Sequence, residues 1–329
     1  MQKRMYNTKA LIEGSLTTAL IVVIMLINIY VPIFFIFVNF ILPIPITVLY
    51  IRQDYKIALI SVIASDILIS MFYNPIAALS LIVLIGLTGM TLGYCIKNKK
   101  KFGTTIIFLS ISMAVGIIFY FAVHIMLISK EGIYGFVNGM LENFKQSMNL
   151  SKSMYEKAGV SSNQFASMES MLKILTPEYV MRLIPAGIII ISFILSYLNY
   201  IITRAILIKL KYQVNGIKPL NQWYMNTRLG TLVGLILVSG ILFDRENMAI
   251  GQYMITSSEI ILQLIFLIDG LALLTYYLMK KFRISKKIVA IIIVFTALSS
   301  LSLFCVLAGF IDMIFDFRKL DPYRKSKKQ

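Results

Sequence analysis

Long apolar runs separated by short charged breaks are the feature of this 329-residue sequence that most constrains its fold. A transmembrane helix needs about 20 mostly apolar residues, because each residue advances the helix by ~1.5 Å through ~30 Å of hydrocarbon. Hydrophobic residues make up 58% of the chain and its mean hydropathy is +0.82, whereas soluble domains are about 45–50% apolar. The sequence therefore predicts an all-α integral membrane protein.

Prolines and asparagines divide the apolar sequence into separate segments. Asn28 and Pro32 interrupt the first long stretch, and Asn74 and Pro75 make a second break. Proline lacks a backbone donor and asparagine favours turns, so both residues are typical of helix connections. The predicted fold is a polytopic transmembrane helix bundle of 8–9 segments, at residues 10–30, 32–51, 57–73, 76–96, 103–128, 180–203, 229–243, 253–279 and 288–312.

These segments group into three predicted regions. Residues 1–210 form a bundle of six spans, which includes the hydrophilic loop 129–178. Residues 211–312 supply additional C-terminal transmembrane segments, and residues 313–329 form a basic tail. No repeat of short period divides the chain further.

Basic residues lie in alternate connections between the apolar segments. The connections around Lys97 and around Lys280 are rich in lysine, whereas those near Tyr30 and Asn74 carry no basic residue. Because Lys and Arg favour the inner side of a membrane, this pattern predicts a plasma-membrane protein with a cytoplasmic N-terminus. The net charge of +17 then indicates contact with anionic lipid headgroups of the bilayer and excludes nucleic acid as the expected partner.

The basic tail breaks this alternation, because a ninth crossing would place it outside the cell. Three alternatives remain open. The last segment is re-entrant and bends near Ser299 and Ser300, the short segment 229–243 does not cross, or the rule fails at the last helix. The sequence leaves the side of the tail undecided.

The loop 129–178 is the longest hydrophilic stretch and by alternation lies outside the cell. Apolar residues recur at helical spacing from Ile133 to Met148, and again from Phe165 to Leu175. Such spacing predicts two amphipathic helices. Either they rest on the outer membrane surface, or they form a lid over a pocket between spans.

Polar side chains within the spans are the candidate binding residues. Asp66 lies midway along its segment and Asp269 lies near the centre of another, with Glu259 and Gln263 on the same helix as Asp269. A carboxylate is costly within a bilayer, so these four residues are predicted to bind a solute or cation. No Lys or Arg is expected at that depth, which argues against a permanent internal ion pair. The alternative is that each Asp, protonated or hydrogen-bonded, only ties two helices together.

Small residues form a stripe along the first span. Ala10, Gly14 and Thr18 recur every four residues, with Ser15 and Ala19 beside them. Such spacing lets helix backbones approach closely. The stripe either packs within the protein or provides a docking face for another membrane subunit.

No pattern of catalytic residues emerges. The chain has one histidine and two cysteines, and it contains no GxxxxGK[ST], HExxH or GxSxG sequence. These patterns would indicate phosphate binding, zinc hydrolysis or an activated serine. We therefore predict no catalytic residue, no metal site and no cofactor, and we expect that the protein is not an enzyme.

Three stretches of the chain resemble the YybS-like family of uncharacterised bacterial multi-pass membrane proteins: residues 9–15, 218–223 and 309–319. The six spans of residues 1–210 are also similar to the S components of energy-coupling factor transporters. This second resemblance implies capture of a small vitamin or ion from outside. It also implies docking of the first helix on a transmembrane coupling subunit that works with ATPases.

The leading hypothesis is a transporter-like protein that binds a small solute or cation, with a separate subunit supplying energy. The alternative is a non-transporting scaffold or regulatory protein. It would bind other envelope proteins through the small-residue stripe and the basic inner loops.

Overall fold

The computed structural model describes residues 8–31, 40–129, 132–157 and 174–320. Within these ranges every regular element is helical, which confirms the all-α fold class. A π-helical turn at His124–Ser129 extends the fifth helix, and a 3-10 turn at Leu220–Gln222 precedes the eighth. The helices are α1 (Thr8–Tyr30), α2 (Pro43–Arg52), α3 (Tyr55–Ser70), α4 (Pro75–Lys97), α5 (Phe102–Val123), α6 (Gly132–Lys157), α7 (Pro177–Lys209), α8 (Thr227–Arg245), α9 (Ala249–Lys280), α10 (Lys286–Leu298) and α11 (Ser302–Phe315).

Several helices are long and apolar enough to cross a membrane, which confirms the multi-pass architecture. In the described part of the chain, six helices meet that length on their own, and the bent pair α10–α11 would make a seventh span. Two predicted spans correspond to the shorter helices α2 and α3, of 10 and 16 residues. For this reason the described chain has fewer full-length spans than the 8–9 segments that the apolar runs predict.

Capping side chains fix where three of the long helices begin. The Asn74 side chain accepts hydrogen bonds from the first backbone N–H groups of α4, Thr176 does so for α7, and Asn226 does so for α8. Prolines follow Asn74 and Thr176 at the first helical position, where no backbone donor is needed. Each cap contributes about 1 kcal/mol, because it satisfies donors that the helix itself leaves unpaired.

The described chain divides into two compact units. Unit 1 comprises Met1–Val180 and Gly187–Gly216, and unit 2 comprises Met181–Ala186 and Ile217–Gln329. Unit 1 thus contains α1 to α6 and most of α7, whereas unit 2 contains α8 to α11. The last helix ends at Phe315, so residue 313, where the tail was predicted to begin, is helical.

Close backbone contact holds α2 and α4 together in unit 1. Thr47 Oγ1 donates a hydrogen bond to the Gly89 oxygen at 3.0 Å. A Cβ atom on Gly89 would lie 2.8 Å from the Pro43 oxygen and 2.8 Å from Ile46 Cβ. Only a glycine fits this crossing without moving one helix, so the small residue sets the distance between the two helices.

Unit 2 is built on α9, against which α8 and α11 both run antiparallel. Just before α8, Met225 contacts Asp269 of α9, and near the end of α8, Gly240 lies beside Gly251 of α9. Along α11 the contacts progress from Cys305 beside Gly270 to Gly309 beside Phe266. A Cβ on Gly270 would overlap the Cys305 oxygen, and a Cβ on Gly309 would overlap the Phe266 oxygen. The α9–α11 crossing is therefore a backbone contact on both sides.

The chain reverses direction between α10 and α11, which meet at an angle of 103°. Thr227 Oγ1, at the start of α8, donates to the Met313 oxygen at 3.5 Å. Arg318, beyond the end of α11, donates to the Trp223 oxygen at 2.6 Å. The chain after α11 thus returns to the end of unit 2 at which α8 begins. This geometry favours the re-entrant alternative for the last segment; residues 321–329 of the predicted tail lie outside the described ranges.

Candidate functional site

A cavity of about 290 Å³ lies within unit 1. Its wall is formed by α4, α5 and α7 together with residues 40 and 43 at the entry to α2. The polar groups on this wall come from Thr88, Tyr120 and Asn199, and its other residues are apolar. No charged side chain of the described chain lines it. The volume is near the lower end of ligand pockets, about 300–1,000 Å³, so the cavity suits a small molecule.

Four polar side chains, which we call the α7 seam, follow one face of α7: Ser192, Ser196, Asn199 and Thr203. Their spacing of four, three and four residues places them along a single stripe of the helix. Each is at most 1% exposed. Asn199 belongs both to the seam and to the cavity wall, so the seam runs past the cavity.

One polar atom on each residue of the α7 seam is unpaired. Among the described residues, the hydroxyls of Ser192, Ser196 and Thr203 and the Asn199 Oδ1 atom have no hydrogen-bond partner, whereas Asn199 Nδ2 donates to the Leu195 oxygen at 3.1 Å. Several other buried hydroxyls bond to the carbonyl four residues back, as Thr88 does to Leu84 at 2.7 Å. Buried polar groups are normally paired, so a row of unpaired ones is typical of a surface that contacts ordered water or a ligand.

The amphipathic helix α6 packs on the ends of α5 and α7. Val137 and Leu141 are buried, and the Phe136 ring lies 5.6 Å from the His124 ring, centroid to centroid. Tyr134 Oη donates to Glu178 Oε1 at 2.9 Å, and this hydrogen bond raises the pKa of the Tyr134 phenol. These contacts confirm the first predicted amphipathic helix.

The second predicted amphipathic helix, around Phe165 to Leu175, lies almost entirely outside the described residues. Among the described residues, none of α6 lines the cavity. The choice between a lid and a surface helix therefore stays open.

Of the four predicted binding residues, Asp66 belongs to unit 1, and Glu259, Gln263 and Asp269 belong to α9 in unit 2. Asp66 is half-buried on α3 in unit 1, and within the described chain its Oδ1 atom has no hydrogen-bond partner. Asp66 is absent from the cavity wall. Glu259 and Gln263 are exposed on α9, whereas Asp269 on the same helix is fully buried. Their predicted binding roles stay predictions.

Asp269 forms a buried ion pair, so the expectation that no basic residue reaches it is wrong. Arg318 Nη2 lies 2.6 Å from Asp269 Oδ1, and Arg318 Nε lies 2.7 Å from Asp312 Oδ2. The side chains of Arg318 and Asp269 are 0% exposed and that of Asp312 is 1% exposed. We call these three residues the ionic cluster. Asp269 and Arg318 are 49 residues apart, and the return of the chain after α11 joins them.

Backbone groups add two hydrogen bonds to the ionic cluster, whereas Asp269 Oδ2 has no hydrogen-bond partner among the described residues. Asp269 Oδ1 accepts from the Met225 N–H at 3.2 Å, and Asp312 Oδ1 accepts from the Phe317 N–H at 2.9 Å. Because Met225 precedes the first residue of α8, Asp269 lies level with the start of α8 and not with its middle. The reason is length: α9 has 32 residues against 19 for α8, and it extends beyond that end of α8.

The ionic cluster joins the segment before α8, the middle of α9 and the chain after α11. Arg318 Nη1 donates to the Trp223 oxygen, so two of the three stretches that resemble the YybS-like family, 218–223 and 309–319, meet here. Removing one partner of a buried ion pair costs about 3–5 kcal/mol, because it leaves a buried charge uncompensated. The geometry indicates that the ionic cluster stabilises unit 2 by holding these three segments together.

The small-residue stripe of α1 divides between two faces. Ala10, Gly14 and Thr18 are buried. A Cβ on Gly14 would lie 3.2 Å from Ser61 Oγ, and Thr18 Oγ1 donates to the Ser61 oxygen at 3.3 Å. These three residues pack against α3 inside unit 1, as expected if the stripe serves packing within the protein. Ser15 and Ala19 are exposed, and a docking role stays a prediction for them.

The fold and its sites define a multi-pass helical membrane protein with a small neutral cavity in one unit and a buried ionic cluster in the other. A sequence model of the family described as "Predicted membrane protein (DUF2232)" matches residues 19–313, and the chain belongs to this family. The chain is 25% identical over 317 residues to the uncharacterized protein YybS of Bacillus subtilis (strain 168). The alignment covers 95% of this chain and 99% of that protein.

These findings confirm the resemblance to the YybS-like family. No solved structure matches the chain. The similarity of residues 1–210 to S components of energy-coupling factor transporters therefore stays a prediction.

Proposed function

We propose that this protein binds a small, uncharged solute in the cavity of unit 1 and takes part in its uptake across the plasma membrane. The observation that supports this function is the α7 seam. Four fully buried polar side chains along one helix face each have an atom without a partner among the described residues, and one of them, Asn199, reaches the cavity.

The energetics of the α7 seam favour a bound molecule. A buried polar group without a partner costs about 1–3 kcal/mol, and lipid supplies no hydrogen bonds to offset this cost. A solute or a chain of waters that bonds to these groups recovers it. From Ser192 to Thr203 the seam extends about 16 Å, roughly half the hydrocarbon thickness, so it forms a path for a solute beside the cavity.

The chemistry of the wall sets the class of solute. Thr88, Tyr120 and Asn199 offer hydrogen bonds, and apolar side chains complete the wall. Such a lining suits a neutral molecule with an apolar body and a few polar groups. The proposal thus moves the binding site from the carboxylates to α7. Asp66 stays a candidate for a coupling cation, because its buried Oδ1 has no partner among the described residues. The proposal assigns no catalytic residue, metal or cofactor.

We further propose that a transmembrane coupling subunit with ATPases energises uptake. The exposed side of α1 around Ser15 and Ala19 supports such docking, since Ala10, Gly14 and Thr18 are already used inside unit 1. In this proposal the N-terminus is cytoplasmic, as the basic connections favour.

A co-purification experiment tests the binding site. Protein extracted from its native membrane is analysed by mass spectrometry for small molecules, in wild type and in Asn199→Leu. The matched control is Asn98→Leu, because the Asn98 amide also donates to the carbonyl four residues back but lies exposed. We expect a neutral molecule in wild type and control, and about tenfold less in Asn199→Leu, since hydrogen bonds to the solute are lost. The same molecules at equal levels in all three samples would contradict the proposal.

The second candidate function is a non-transporting scaffold or regulator. The exposed side of α1 and the basic connections also favour this function, since both can bind other proteins. Affinity purification separates the candidates: an ATPase pair that co-purifies with the wild type supports transport. Envelope proteins alone, lost in Ser15→Leu but retained in Thr17→Leu, support the scaffold.

A further inference from the structure

A second cavity of unit 1, of about 340 Å³, lies between the end of α4, the start of α5 and the chain that follows α7. We call it the basic pocket, after Lys99 and Lys100 on its wall. Tyr200 and Asn215 lie on the opposite side, and no acidic residue of the described chain lines it.

Two arginines add positive charge behind this wall. Arg204 Nε donates to the Asn215 oxygen at 3.1 Å, and Arg52 Nε donates to the Tyr212 hydroxyl at 2.9 Å. The neighbouring acids are engaged elsewhere: Glu13 accepts from Gln53, and Asp54 lies 3.8 Å from Lys97. Two lysines therefore line the basic pocket, two arginines bond to other residues of its wall, and no acid of the described chain lines it.

Hydrogen bonds fix the backbone that carries the two lysines. Asn215 Nδ2 donates to the Lys100 oxygen at 2.6 Å and to the Lys99 oxygen at 3.3 Å. The Tyr200 hydroxyl donates to the Asn215 oxygen at 2.8 Å. Lys99 itself has a φ of 51°, in the left-handed region. The lysines thus leave α4 on a turn that Asn215 holds in place, so little ordering is needed when a ligand binds.

The first turn of α5 is the third source of positive potential. Thr105 lines the basic pocket, and its N–H donates to the Lys101 oxygen at 2.9 Å. The N–H groups of residues 102–104 precede this bond, and Lys101 makes no side-chain capping bond. The first N–H groups of a helix have no partner within it, and the helix dipole is positive at that end. Phosphate groups bind at such helix ends when cations lie nearby.

We propose that the basic pocket binds a phosphate group, either in the headgroup of an anionic phospholipid or in a free phosphate ester. Basic pockets between helices at the inner end of membrane bundles recognise lipid phosphates. The volume holds a glycerophosphate group, and the wall offers as donors the ammonium groups of Lys99 and Lys100, the Tyr212 phenol and the Gln213 amide. This site is independent of the neutral cavity that is proposed to bind the transported solute.

Native mass spectrometry in detergent tests the proposal with three probes: phosphatidylglycerol, phosphatidylcholine and glycerol 3-phosphate. The variant Lys99→Gln/Lys100→Gln removes two charges from the basic pocket. The control Lys286→Gln/Lys287→Gln removes the same charge from an exposed site in unit 2. Thermal unfolding of both variants checks that they are folded.

If the phosphate group belongs to a lipid headgroup, phosphatidylglycerol should bind saturably. Its affinity should then fall about tenfold in the pocket variant and less than about twofold in the control. The same pattern for glycerol 3-phosphate supports the free ester. Equal losses in both variants would show diffuse attraction and overturn the proposal. Equal binding of phosphatidylcholine and phosphatidylglycerol, or no saturable binding of any probe, would also overturn it.

Discussion

The two units bury polar side chains in opposite ways. On α7 of unit 1, the Ser196 hydroxyl and the Asn199 Oδ1 atom are neutral, fully buried and unpaired, and Asn199 lines a cavity. In unit 2, Asp269 and Arg318 are charged and equally buried, but they bond to each other and to the backbone, although Asp269 Oδ2 has no partner among the described residues. The comparison teaches that the fold pairs its buried arginine with carboxylates and leaves neutral polar atoms of α7 unpaired. The ion pair holds segments of unit 2 together, whereas the unpaired atoms of the α7 seam are the groups to which the proposed solute would bond.

The largest effect is expected from Arg318→Met, which leaves two buried carboxylates without their cation. We predict a loss of about 3–5 kcal/mol in the free energy of unfolding of unit 2. Fluorescence of Trp223, the one tryptophan of the chain, reports the transition, since its carbonyl accepts from Arg318. The control is Arg245→Met at the exposed end of α8. If both variants unfold alike, the cluster is not the structural tie of unit 2.

A smaller effect is expected where α9 and α11 touch. Gly270→Ala would place a Cβ where it overlaps the Cys305 oxygen, so the two helices must separate. We predict a loss of about 1–3 kcal/mol in the free energy of unfolding, measured in the same assay. Gly234→Ala on α8 is the control, because a Cβ there meets no atom within 4 Å in the described chain. Equal stability of the two variants would show that the crossing is loose.

The smallest effect separates paired from unpaired hydroxyls within unit 1. Ser61 Oγ donates to the Gly14 oxygen at 3.2 Å, whereas Ser196 Oγ has no partner among the described residues. We predict that Ser61→Ala lowers the free energy of unfolding by about 1 kcal/mol. Ser196→Ala should leave it unchanged or raise it by up to about 1 kcal/mol in ligand-free protein, since it removes an unpaired group. A loss of the same size in both variants would mean that Ser196 is paired after all.

Local sequence patterns predict the helices of this chain well. The apolar runs give the helical fold class and the approximate spans, and the spacing from Ile133 to Met148 gives α6. The length of α2 was not predictable in this way, because an apolar run does not show where a helix begins. The 16 residues of α3, in contrast, are close to the 17 of the predicted segment 57–73.

The ionic cluster was missed because its partners are distant in sequence. The chain after α11 turns at Asp316, which has a φ of 50°, and returns Arg318 to Asp269. A lone arginine six residues beyond Asp312, at the end of an apolar run, was the available signal. Sequence periodicity contains no information on such a return.

The spacing of the α7 seam is visible in the sequence, but it did not identify these residues as a candidate binding site. Ser192, Ser196, Asn199 and Thr203 recur at helical spacing. Hydroxyls in membrane helices usually bond to their own helix, and only side-chain rotamers show whether they do. The stripe on α1 has the same limit: its spacing allows close packing, but α3 is identified as the partner only by the fold.

An experimental density map of unit 1 in lipid tests the central claim most directly. The account predicts density that belongs to a solute or ordered water at about 2.7–3.2 Å from Asn199 Oδ1 and from Ser196 Oγ, continuous with the cavity beside Thr88. It would be contradicted by a map in which these atoms bond to protein groups of unit 1 and apolar side chains fill the cavity.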